Sequence, residues 1–271
     1  MGSRMKIGIC INMNASEDDG IGLESLETVK NAGFDYVEAP AAQLLALEPK
    51  ALKKAVISLK DCDLPVLAMN NLFQAGIRLT GPDADKKRID DYIDRVVELA
   101  SELGVETMVF GSSEARNVPM HFSTDEAWDQ LLGMLSRLGD KASAIGATVV
   151  IEHLNHLESN IVDWFREGVR LVNELEHTAV RCLVDLYHLV LGNEPLDLVR
   201  KHIGLVHHVH FANVLWRTIP TCDLHESHGM SFLDLLRDVD YQHKLSVEGY
   251  CKDLERVLPE SLDFIQRSAK M

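Results

Sequence analysis

Residues 179–211 read AVRCLVDLYHLVLGNEPLDLVRKHIGLVHHVHF. Two short runs rich in β-branched residues, AVRCLVD (179–185) and LVHHVHF (205–211), enclose a helical stretch expected over 196–202. Outward from this unit the same alternation continues to both ends of the chain. Strands are expected at 6–12, 36–39, 65–70, 106–111, 147–152 and 245–248. Helices are expected over 23–32, 49–60, 83–103, 124–144 (capped by Ser123 or Thr124), 161–176, 231–239 and 254–269. Gly33, Gly104 and Gly146 fall where a helix must turn back toward a strand. Eight strand–helix units match a closed (β/α)₈ TIM barrel, typically about 250 residues long. An open doubly wound sheet would want a glycine-rich phosphate turn after its first strand, and residues 11–15 (INMNA) are not one. The expected fold is α/β, a single TIM-barrel domain over 5–271. Met1-Gly2-Ser3-Arg4, ahead of a second Met5, reads as an expression scar.

The composition narrows the function classes. Of 271 residues, 46% are hydrophobic and 25% charged, which suits a packed core and excludes a wholly disordered or collagen-like chain. No apolar run approaches the roughly 20 residues of a membrane span, and no signal peptide is seen, so a cytoplasmic location is expected. Forty-two acidic against 27 basic residues give a net charge of −15. Such a surface repels phosphate backbones, and the densest basic run, Lys86-Lys87-Arg88, lies among Asp83, Asp85, Asp90 and Asp91. No nucleic-acid or membrane partner is expected. Five cysteines without CxxC spacing suit reduced thiols better than a disulfide framework or a thiolate zinc site.

Side chains alternate along a strand, and barrel active sites lie at the strands' C-terminal ends. In the fifth strand Thr148, Val150 and Glu152 share a face; in the sixth, Arg181, Leu183 and Asp185 do. Val206, His208 and His210 align in the seventh, and Ser246 and Glu248 in the eighth. The opposite, apolar sets should face the helices. Glu152, Asp185, His210 and Glu248 then meet at the barrel mouth, with His208 one layer deeper and His207 turned away. Three unscreened carboxylates in one place repel one another, and a divalent cation removes the conflict. Three carboxylates with one imidazole form a hard, oxygen-rich set that favours Mn²⁺, Mg²⁺ or Co²⁺, with open positions for substrate oxygens, over a closed zinc site. Taken singly, each has an ordinary reading: Asp185 could be a helix N-cap, and a strand histidine could simply be packed in a core. Long loops expected at 70–82 and 212–229 follow strands and would cover the same mouth.

The motifs IEHLNHLE (151–158), VDLYHL (184–189), HVHFANVLWR (208–217) and SVEGY (246–250) resemble those of the xylose isomerase-like sugar isomerase and epimerase superfamily, and most closely its ketose 3-epimerases of the tagatose and allulose type. The resemblance implies one divalent metal held by Glu152, Asp185, His210 and Glu248, gripping two adjacent oxygens of a ketose. It implies that Glu152 and Glu248 act on opposite faces of the sugar, one removing the proton next to the carbonyl and the other returning it. Glu158, His188 and Arg217 would hold the carbonyl and hydroxyl oxygens, in a homo-oligomer of two or four chains. Other readings of these three are a helix-dipole charge for Glu158, core packing for His188 and a surface side chain for Arg217, which sits seven residues after His210. Trp216 could wall the sugar or pin its loop. With no glycine in 212–220, an unphosphorylated sugar is favoured.

Related members of the superfamily dehydrate inososes or isomerise hydroxypyruvate, and these remain alternatives. An abasic-site endonuclease with three zinc ions would need further ligands after strands two to four. Those ends read Glu38, Asn70-Asn71 and Gly111, without histidine. A non-catalytic barrel would be expected to have lost one of the paired glutamates, and both are present.

Overall fold

The computed structural model describes residues 4–222 and 227–270. Residues 1–3, residues 223–226 of the second long loop and residue 271 lie outside the described residues. Eight parallel strands close in sequence order into a barrel: β1 (Lys6–Cys10), β2 (Tyr36–Pro40), β3 (Val66–Asn70), β4 (Thr107–Phe110), β5 (Thr148–Glu152), β6 (Val180–Asp185), β7 (Val206–Phe211) and β8 (Lys244–Val247). Around them run α1 (Leu26–Ala32), α2 (Ala41–Ala46), α3 (Pro49–Asp61), α4 (Lys86–Leu103), α5 (Ser113–Arg116), α6 (Thr124–Ala144), α7 (Phe165–Leu175), α8 (Leu186–Leu191), α9 (Leu196–Lys201), α10 (Ser227–Asp238) and α11 (Leu254–Lys270). The expected TIM barrel is the observed one.

Alternation sorts the strand residues as expected. Val149, Ile151, Cys182, Val184, Val209, Leu245 and Val247 are buried in the core between strands and helices. Val109, Val150 and Leu183 form a separate small apolar cluster, on the opposite faces of their strands. One alignment is corrected. Cys182 pairs with Val206, but the next residue, Leu183, pairs with His208, so β7 has one extra residue at His207. Val206 therefore joins the outer core, while His208 and His210 stay inward. An extra residue reverses facing on one side of it only, which a strict period of two cannot register.

The helices owe their place to one apolar stripe each. In α4, Ile89, Tyr92, Ile93, Val96, Leu99 and Ala100 are buried at spacings of three and four; Asp85 caps its start by accepting from Arg88 N, and Gly104 ends it in the left-handed conformation. Such a cap is worth about 1 kcal/mol. It also places the helix start at Lys86 instead of 83. α7 departs by four residues, beginning at Phe165 and not at 161. Glu194, from the loop after α8, accepts from Phe165 N at 2.5 Å and Arg166 N at 3.3 Å, supplying a cap from 28 residues away. The freed segment 153–164 becomes part of the mouth. At the other end of the loops, α10 starts at Ser227, earlier than expected.

Candidate metal centre

The four residues expected at the mouth do converge. Ligand atoms of Glu152, Asp185, His210 and Glu248 all lie within 4.8 Å of one another, and all four side chains are buried. His210 is the hub: its Nδ1 is 2.9 Å from Glu152 Oε1, 2.9 Å from Glu248 Oε2 and 4.0 Å from Asp185 Oδ2. Asp185 is the helix N-cap that one of its readings gave. One oxygen caps α8 by accepting from Tyr187 N (2.7 Å) and His188 N (3.3 Å), and the other points into the cluster.

Behind His210 stands a residue that the sequence reading placed only at a strand end. Glu38, at the centre of β2 and fully buried, accepts from His210 Nε2 at 2.9 Å, His208 Nε2 at 2.8 Å and Ser246 Oγ at 2.6 Å. Tyr36 OH is 2.8 Å from Ser246 Oγ and extends the chain across the interior. The Glu38 carboxylate thus keeps a proton on His210 Nε2 and leaves Nδ1 facing the three mouth carboxylates. Such outer carboxylates orient and strengthen imidazole ligands.

The electrostatics show how much positive charge the cluster calls for. Burial lifts the Asp185 carboxyl well above its ordinary value, with Glu248 and Glu152 adding to the rise. Burial likewise raises Glu152. Burial opposes charge on Glu248 too, but Arg217 and His210 outweigh it and lower its pKa. His210 is pushed by burial toward neutrality, yet Glu248 and Glu38 lift its pKa well above that of free imidazole. Four acceptor atoms facing one another require a cation or a shared proton between them. The donor set, three carboxylate oxygens and one imidazole nitrogen, fits a hard divalent cation with positions left for substrate oxygens.

The second group also lines this mouth. Arg217 exposes only 17% of its side chain and bonds Glu248 Oε2 at 2.6 Å and Asp185 Oδ2 at 3.3 Å. It lies over the Tyr187 ring at 4.8 Å. The surface reading is therefore corrected: the loop turns the side chain inward through left-handed backbone at Trp216 and Arg217, φ 62° and 46°. Trp216 itself is 81% exposed. His188 is buried in α8, with Nε2 3.6 Å from Asp185 Oδ2. Glu158 precedes α7 by seven residues, outside its first turn, and accepts from Asn155 Nδ2 at 2.9 Å.

Two further residues shape the site without a sequence signal of their own. Arg116 is fully buried and donates to the carbonyls of Phe110, Glu152 and Val162 at 3.3, 2.9 and 3.0 Å, tying the end of β5 to the flanking loops. Burial lowers its pKa to about 10. Gly111 leaves the room that the Glu152 carboxylate uses; a Cβ there would overlap Oε2.

The chain is a closed, parallel eight-stranded barrel with a carboxylate–imidazole cluster at its C-terminal mouth, a set of residues that could hold a metal ion. The family described as xylose isomerase-like TIM barrel matches residues 26–268, and the chain belongs to it. An inosose dehydratase of Geobacillus thermodenitrificans is 35% identical over 115 residues, 42% of this chain and 37% of that protein. The chain thus matches little more than a third of the length of such relatives. An L-ribulose 3-epimerase of Mesorhizobium japonicum is 21% identical over 231 residues, 85% of this chain and 76% of the relative. The crystal structure of a D-allulose 3-epimerase from Methylomonas sp. superposes with a TM-score of 0.83 at 18% identity, covering 99% of this chain and 100% of that one. At that identity the superposition speaks for the fold.

Proposed function

We propose that this chain is a divalent-metal-dependent sugar epimerase or isomerase that moves a proton at the carbon next to the carbonyl of a ketose. The observation that carries the reading is the approach of two buried glutamates to one nitrogen. Glu152 from β5 and Glu248 just after β8 each lie 2.9 Å from His210 Nδ1, and they flank the Asp185–His210 pair on the two strands between. Inversion at a carbon needs a carboxylate on each face, one to take the proton and one to return it. Glu152, Asp185, His210 and Glu248 are the residues that would hold the ion, with Mn²⁺ preferred and Mg²⁺ or Co²⁺ as alternatives. A bound ion of this kind would supply Lewis-acid charge to adjacent carbonyl and hydroxyl oxygens.

The chain's own groups do the rest. His188 and Arg217 place N–H groups at the mouth, where negative charge develops as the proton leaves. Glu158 is placed to accept from a sugar hydroxyl. Likeness to a ketose-type 3-epimerase over most of the chain supports the same reading. Cytoplasmic location and assembly into dimers or tetramers belong to it as well, the latter checked by light scattering.

The test is NMR of a ketose panel with the metal-loaded protein in deuterated water. Deuterium at C3 with inversion is the epimerase outcome, and deuterium at C1 or C2 with an aldose product is the isomerase outcome. Failure to take up metal, or full activity in Glu248→Gln, overturns the proposal. A second reading, dehydration of a cyclic polyol ketone, is favoured by the 35% local identity to inosose dehydratase. It begins with the same proton abstraction but ends in loss of a β-hydroxyl, seen in the same spectra as a dehydrated product.

A further inference from the structure

We propose that Asn155 is a positioning residue that holds the ring proton of His188 on Nε2, and so makes that imidazole a hydrogen-bond donor toward the bound substrate. Asn155 is buried in the segment after β5. The direction of its amide is fixed twice over. Leu157 N–H, which can only donate, lies 2.9 Å from Oδ1, and a Glu158 carboxylate oxygen, an acceptor when ionised, lies 2.9 Å from Nδ2. The remaining Nδ2 proton faces His188 Nδ1 at 2.8 Å. An imidazole nitrogen that receives an N–H must present its lone pair, so in the neutral ring the single proton sits on Nε2.

Nε2 is where a donor is wanted. It is buried, it has no hydrogen-bond partner among the described residues, and it lies 3.6 Å from Asp185 Oδ2 on the side of the ion cluster. A buried N–H without a partner, at the edge of a candidate site, is aimed at something that enters the site. One amide therefore joins two residues that the sequence singled out separately, His188 and Glu158, and gives them opposite characters: a donor and an acceptor. That the entering group is a sugar oxygen rests on the proposed function; the position of the proton does not.

Long-range ¹H–¹⁵N correlation spectra of the Mg²⁺-loaded, ¹⁵N-labelled protein read the tautomer directly, with His188 assigned by difference from His188→Gln. The expected spectrum shows a protonated Nε2 and an unprotonated Nδ1. Asn155→Asp is isosteric and, when ionised, can only accept, and it is expected to move the proton to Nδ1 and lower kcat about 100-fold, the loss of one donor to developing negative charge. Asn155→Ala removes the contact without adding charge and is expected to leave a mixture of the two tautomers. A wild-type ring protonated on Nδ1, or an Asn155→Asp spectrum unchanged from wild type, overturns the proposal whatever reaction the protein catalyses. A moved proton with undiminished kcat overturns the donor role. The expected tautomers in a protein that exchanges no sugar proton would sustain the positioning role and sink the functional reading instead.

Discussion

The two halves of this barrel contribute unlike things to one site. Strands β5 to β8 end in Glu152, Asp185, His210 and Glu248, groups that can hold an ion or move a proton. Strands β1 to β4 place no such group in that quartet. They supply Gly8, whose missing side chain makes room for the Tyr36 ring, and Gly111, which makes room for the Glu152 carboxylate. They also supply Glu38, which holds His210 from behind. The lesson is that a cluster of donors is only half a site. The other half is space and orientation, without which three buried carboxylates and a histidine would point elsewhere or neutralise one another with shared protons.

The strongest way to break this comparison is within the donor half. Glu152→Gln and Glu248→Gln should each lower the rate of ketose proton exchange by about 10³-fold, the contribution of a positioned acid or base, while circular dichroism stays unchanged. Next comes the supporting half. Gly111→Ala should displace the Glu152 carboxylate and cost about 100-fold in kcat, because misplacement of about an ångström has that effect. Glu38→Gln, read by calorimetric titration with Mn²⁺, should weaken metal binding about 10- to 100-fold. Wild-type affinity in that variant would confine orientation to the donor half after all.

The smallest effect concerns acid stability. His153, next to Glu152 but turned outward against Phe165, is held by burial at a pKa of about 3. In the unfolded chain it titrates near 6.5. Between these values the unfolded state binds the extra proton, so stability falls as pH drops below about 6.5, by up to roughly 1.4 kcal/mol per unit from this group. Urea titrations from pH 7 to 4 should show that fall, and His153→Phe should flatten it. An equal slope in the variant would assign the acid lability to other groups.

Legibility followed the same division. The donors of β5 to β8 could be found because each ends a strand whose apolar alternation states which way it faces. Asp185 could be read two ways; one of its oxygens caps α8 and the other points into the cluster. Arg217 was ambiguous because its inward course depends on two left-handed residues in a loop, which no periodicity announces. Glu38 acts through partners 170 or more residues away, Arg116 and Asn155 through partners up to 46 and 33 residues away, and Gly111 through the absence of a side chain. Of these, only the charge of a residue in an apolar strand, at Glu38, offered a signal, and its partner could not be named from it.

The sequence by itself determined the eight strand–helix units, their order and the four residues that meet at the mouth. These depend on local patterning and on one rule of alternation, both carried by neighbours in the chain. Only the tertiary structure decided the bulge at His207, the cap that Glu194 lends to α7, the burial of Arg217 and the hydrogen-bond directions that set the two histidines. Those depend on which distant atoms come within 3 Å, and closure of the barrel is what brings them there.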